Sequence, residues 1–337
     1  MCARESGGGV PEDYRKPHLS VEDQLALLEG RGLAVSDRAR ALLTLRSVGY
    51  YRLSAYMYPF RRAFSEEELG ESSSSISRRS NDFVDGSTFE AVRSLWQFDR
   101  RLRLVVLDAL EVVETGLKAA LAHVLGARDP FGHVDRRALN ETECAKESTG
   151  GADDRFGEWL RSYAEQQGKA EAEDFVAHYL DKYREPLPIW MATEFIDFGS
   201  TVRLLRLMRG EDRNRVAGLH GVSNGTLFGT WMKNLNYVRN VCAHHSRFWN
   251  RTPTYKFRKW NPDQASPALA HLAEGGSRSR VYPALAVTAS LVRHLDADSP
   301  WPQALRGLLI DFPDHPALSI HDGMGLPEDW ESLSLWS

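Results

Sequence analysis

A chain of 337 residues exceeds what one minimal core requires and leaves room for a large domain with elaborations or for two subdomains. Its 42% hydrophobic and 26% charged residues form a globular profile, and no run of 18 apolar residues offers a transmembrane span. The net charge of −4, taken alone, argues against a nucleic-acid binder.

The opening "MCARESGGGVPEDYRKPH" lacks the apolar stretch of a secretory signal. Cys2, Cys144 and Cys242 are odd in number, far apart and free of any CxxC pairing, which argues against a disulfide framework. The expected setting is reducing cytoplasm, with no membrane association.

Residues 1–13, rich in Gly and charge, read as a disordered lead. An N-terminal helical subdomain is expected over 14–64. "SVEDQLALLEGRGL" (20–33) opens with Ser20 and Asp23 in capping positions and stops at Gly30 and Gly32. Residues 36–62 read as two short helices broken near Gly49, with Pro59 ending the second. Tyr50, Tyr51, Tyr56 and Tyr58 read as packing a core edge. Residues 65–86, which include the Ser-rich "GESSSSISRRSN", read as a low-complexity loop.

A helical core is expected over 87–300, followed by a C-terminal extension over 301–337. Its longest signal is 87–126. Ser87 and Glu90 make a capping box, and apolar residues recur from Leu95 to Val124 at three- and four-residue steps. That segment is one long helix or two with a kink near Gly116. Further helices are expected at 156–183, at 188–209 with Pro188 in the first turn, at 212–219, at 227–248 and at 281–296. Strand signals are nearly absent, so the reading is all-α, an antiparallel helical bundle.

Charge is unevenly distributed. From Arg213 to Pro262 there is no acidic residue, while nine are Lys or Arg. Such a local basic field attracts a polyanion even on an acidic protein; the plainer reading is a solvated basic face. Within this window lies "NYVRNVCAHHSRFWNR" (236–251). Arg-x4-His is not a specific spacing, since Arg128 to His133 and Arg215 to His220 repeat it. What distinguishes Arg239 to His244 is the Asn240 that follows Arg239, the small or apolar Val241, Cys242 and Ala243, and the basic surroundings. On a helix Asn240 and His244 share a face, whereas Arg239 and His244 stand about 140° apart, so two facing helices would converge them better than one.

Arg binds phosphate oxygens and stays charged, and His moves protons near neutral pH. Together they suit RNA cleavage by the 2′-OH, with Arg stabilising the phosphorane and no metal or other cofactor required. "HH" is a weak zinc signal, with no further ligand at spacing. The plainer reading of His244 is a satisfied core histidine, with Arg239 paired to an acid on another helix. Glu111, Glu114 and Glu194 are candidates to orient Arg239, or else ordinary ion-pair partners. His245, Arg247, Arg251, Lys256, Arg258 and Lys259 are candidate RNA contacts. Trp249 is a candidate to stack a base, though core packing suits it better.

Five segments, "GYYRLSAYMYPFR" (49–61), "LWQFDRRLR" (95–103), "EPLPIWMATEFIDFG" (185–199), "VRNVCAHHSRFWNR" (238–251) and "MGLPEDW" (324–330), resemble in order the signature of the Abi family of abortive-infection proteins, the AbiD/AbiF-like group. These proteins are similar to HEPN-type helical nucleases, whose motif is Arg, a polar residue, three more residues and His. Arg239, Asn240 and His244 match it position by position. The resemblance implies an all-α HEPN-like bundle with added N- and C-terminal helices, a metal-independent RNase site built at a homodimer interface, and a role in phage defence. RNA is the expected partner, as substrate, with a structured regulatory or guide RNA as a further candidate. A non-catalytic RNA-binding module that holds such an RNA is the alternative, and a helical protein with no nucleic acid is a third reading. The Ser-rich insert is not part of the family pattern.

Overall fold

The computed structural model describes residues 17–65, 68, 79–148, 154–183, 186–257, 260–274 and 279–336. The expected disordered lead, most of the Ser-rich insert, and Arg258 and Lys259 lie outside them. The chain divides into two compact units, residues 1–96 and 97–337. The architecture is all-α, with a single two-stranded sheet among the described residues.

In the first unit, helix Val21–Gly30 begins where Ser20 Oγ accepts from the Asp23 amide at 3.1 Å, and it buries Leu25 and Leu28. Asp37 caps the next helix, Arg38–Val48, by accepting from the Arg40 amide at 2.9 Å. Gly49 then takes φ +88, a conformation costly for any side chain, and so separates that helix from Tyr50–Met57. Of the four tyrosines read as a core edge, Tyr56 is buried, but Tyr51 is 90% exposed. Within 65–86, read as loop, Arg79–Phe83 forms a strand antiparallel to Arg61–Ala63. Strands of three and five residues are too short to leave a legible alternation.

The long helix is continuous over Phe89–Gly126. The expected Ser87–Glu90 capping box does not form. Thr88 Oγ1 caps instead, accepting from the Ala91 amide at 3.0 Å, and Ser87 is buried one residue too early. Glu90 accepts from Ser36 Oγ at 2.8 Å and from the Ser36 and Asp37 amides, both at 3.2 Å, tying down the start of the second helix. The helix runs through Gly116 without a break. A Cβ there would lie 2.9 Å from Leu295 Cδ1, so the glycine permits close approach of another helix.

In the second unit, two expected helices are each split. The 156–183 segment forms Arg155–Ala170 and Asp174–Lys182, and the break lets Val176 join Ala170 and Leu187 in a separate apolar cluster. The 188–209 segment forms Ile189–Phe195 and Phe198–Leu207. Asp197 caps the second by accepting from the Ser200 amide at 2.6 Å, while its own amide donates to Gln166 Oε1 at 2.7 Å. Helix Gly210–Gly218 leads to Gly225–Ala243, the motif helix, which packs against Phe198–Leu207, Gly210–Gly218 and Tyr282–Leu295. Beyond Tyr282–Leu295 come Trp301–Ile310, whose Trp301 Nε1 donates to the Val105 carbonyl at 2.6 Å, and Ile320–Met324. No helix among the described residues is long and apolar enough to cross a membrane.

Candidate functional site

The motif helix starts at Asn224, whose side chain accepts from the Thr226 and Leu227 amides at 2.9 and 2.8 Å. Phe228, Trp231, Met232, Leu235, Val238, Val241 and Cys242 bury one stripe of it. The helix does not run to Phe248 as its composition suggests; it ends at Ala243. The His244 amide donates to the Asn240 carbonyl, the His245 amide to Cys242 and the Ser246 amide to Val241, each at 3.0 Å. The last two bonds form a Schellman cap with His245 in the position glycine usually fills, and His245 has φ +56. That left-handed residue turns the chain out of the helix.

Of the three Arg-x4-His spacings, two end in the core. His133 is fully buried, and burial pushes its pKa down to about 4. His220 is buried with Nδ1 2.8 Å from the Val216 carbonyl, and burial lowers it too. His244 is exposed at the end of its helix, so the core-histidine reading fails there on burial. His245 is exposed beside it.

Arg239 is half-buried in the last helical turn. Its Nη1 donates to Asn240 Oδ1 at 3.3 Å, and its Nη2 stands 3.7 Å from Glu114 Oε2 on the long helix. Glu114 is shared with Lys118, 3.2 Å away. Of the three acids named from the sequence, Glu114 is the one beside Arg239. Glu111 accepts from Thr115 Oγ1 at 3.1 Å, and Glu194 is exposed on its own helix. At 3.7 Å, Glu114 orients the guanidinium electrostatically without closing a bidentate pair, which leaves the planar fork able to take an anion.

The loop after the histidines is clamped by a residue that the reading of the sequence does not single out. Asp99, fully buried on the long helix, accepts from the Trp249 amide at 2.7 Å and from the Phe248 amide at 3.2 Å, and pairs with buried Arg103 one turn on. An acid on the same stripe as Leu95, Leu102 and Val106 is the sign that could have revealed it. Cys242, near Asp99, is buried, and desolvation first and the Asp99 charge second push its thiol up to about 12. Trp249 is 2% exposed, and a Cβ at Gly323 would run into its ring, so Trp249 packs in the core and is not placed to stack a base.

The basic residues are spread around this end. Arg247 is half-buried, and its carbonyl accepts from Arg251 Nη1 at 3.2 Å. Arg251 Nε donates to Tyr237 Oη at 2.8 Å, and Lys256 is exposed. Among the described residues no group of three His, Cys, Asp or Glu side chains is placed to hold a metal ion.

A family model described as Abi-like protein matches residues 43–250, more than half of the chain. It takes in the segments at 49–61, 95–103 and 185–199 and all but the last residue of 238–251, and leaves 324–330 outside. No curated protein and no solved structure gives a significant match.

Proposed function

The chain belongs to the Abi-like protein family, a membership that suggests a part in abortive-infection phage defence, and on that premise we propose that it is a HEPN-type endoribonuclease. The observation that carries the reading is the placement of His244. It stands exposed at the end of the motif helix, one turn beyond an Arg239 steadied by Asn240 and Glu114, in a stretch without acids.

In this reading the 2′-oxygen of a ribose attacks the adjacent phosphorus as its proton passes to a base. The P–O5′ bond breaks, leaving a 2′,3′-cyclic phosphate and a 5′-hydroxyl that takes up a proton. Arg239 holds the phosphate and stabilises the negative phosphorane. His244 transfers one of the two protons. Asn240, bonded to Arg239, fixes the guanidinium. The wide angle between Arg239 and His244 on one helix suits a site completed by a second copy, whose His244 would transfer the other proton.

The test is cleavage of RNA in EDTA by wild type and His244→Ala. The expected result is a loss of about 10²–10⁴-fold in the variant and a 2′,3′-cyclic phosphate on the wild-type product. Equal cleavage by both proteins would sink the assignment. Salt-sensitive binding by both with cleavage by neither would favour the RNA-binding module instead.

A further inference from the structure

Two tyrosines and two cations are interlocked beside the proposed active site. Lys233 Nζ lies 4.0 Å from the centre of the Tyr255 ring. Tyr255 meets Tyr237 edge-on, ring centres 5.9 Å apart. Arg251 covers Tyr237, its guanidinium carbon 5.8 Å from the ring centre and its Nε bonded to the phenol oxygen. Burial pushes the Tyr237 phenol up, but hydrogen bonds from Thr254 and Arg251 outweigh it and hold the phenol below its usual range.

No carboxylate among the described residues pairs with Lys233, Arg251 or Lys256. Ring faces, a phenol oxygen and, for Arg251, the Arg247 carbonyl occupy the first two, and these neutral groups are weaker partners than an anion. Tyr255 remains 39% exposed even with Lys233 against it. Tyr237 on the motif helix and His244 at its C-cap are seven residues apart. That puts them about 20° apart around the axis and about 10 Å along it, roughly three stacked nucleotides.

Resting on the endoribonuclease reading, we infer that Tyr255 and Tyr237 form a stacking subsite for an unpaired base of a single-stranded RNA, with Lys233 and Arg251 turning from the rings to the flanking phosphates. A duplex keeps its bases inside, so this subsite selects loops and single strands as substrate. It supplies the aromatic platform that Trp249, being buried, does not.

The test uses the full chain carrying His244→Ala, so that RNA stays intact, and a single-stranded oligoadenylate containing 2-aminopurine. Stacking quenches that base, and anisotropy of an end label gives the affinity. Tyr255→Leu keeps an apolar side chain but no ring face; Tyr255→Phe keeps the face. Expected are binding weakened by about tenfold to a hundredfold and loss of quenching in Tyr255→Leu, with both retained in Tyr255→Phe. Unchanged affinity and quenching in Tyr255→Leu would overturn the subsite and leave the nuclease reading intact. Failure of the Tyr255-intact protein to bind the strand in a salt-sensitive way would overturn both.

Discussion

At Asp99 one carboxylate receives two backbone amides and a guanidinium in a place water does not reach. Removing one partner of a buried charged network leaves the others unpaired, a cost well above that of losing a surface pair. Asp99→Ala is therefore expected to destabilise the protein by about 3–5 kcal/mol, and Asp99→Asn by less because it can still accept a bond. Urea denaturation of the three proteins checks the order; an alanine variant as stable as wild type would show that the clamp contributes nothing. At this scale the sequence was partly readable. Arg239, Asn240 and His244 stood out by their company, since the same spacing at His133 and His220 leads into the core. Asp99 did not stand out, because a buried acid becomes meaningful only once its partners, the distant amides of Phe248 and Trp249, are in place. Nor could spacing distinguish Glu114 from Glu111 and Glu194.

Among the elements, capping chemistry and glycine placed the boundaries of Val21–Gly30, Arg38–Val48 and Tyr50–Met57 within a residue or two of expectation. The misses share a cause. Asp197 starts a new helix inside a largely apolar run, and the break after Ala170 serves packing of Val176 on Leu187; both are tertiary decisions. The motif helix closes early because His245 accepts a left-handed conformation that its residue type does not advertise. Gly116 is instructive in the opposite sense. It suggests a kink, yet the helix runs through it, and its missing side chain makes room for Leu295. Alanine there gains about 1 kcal/mol of helix propensity and loses a similar amount to crowding against a flexible side-chain end. Gly116→Ala should thus change stability by less than about 1 kcal/mol, whereas Gly116→Leu should cost more than about 2 kcal/mol. Thermal unfolding distinguishes the two, and a well-tolerated leucine would show that the approach of the two helices is loose.

For the molecule as a whole, the acid limb of stability should be steep. Burial lowers the pKa of His133, His220 and His271 alike, His133 to about 4 from 6.5. Between those values the unfolded chain binds a proton at His133 that the folded chain refuses, so stability rises with pH across the window. The contribution is fully present above pH 6.5 and lost as pH falls toward 4, on the order of 3 kcal/mol for His133 alone. His133→Phe, in a site where neither ring nitrogen has a hydrogen-bond partner among the described residues, should flatten the profile between pH 6.5 and 4. Denaturation midpoints at a series of pH values test this, and an unchanged slope would mean that His133 titrates normally. The fold class was plain from periodicity at this scale. The division at residues 96 and 97 was not, because it falls inside an uninterrupted helix where composition does not change.

The clamp at Asp99 joins positions 149 and 150 residues apart in the chain. On a ribosome adding about 5–20 residues per second, Asp99 waits on the order of ten seconds or more for the amides that it holds. The turn bearing both histidines therefore cannot be clamped until more than half of the second unit has been made. A nascent or prematurely terminated chain that stops short of Phe248 leaves that carboxylate with Arg103 but without the two amides it clamps. On the endoribonuclease reading proposed above, the order of synthesis itself holds back the catalytic turn until about three quarters of the chain is made.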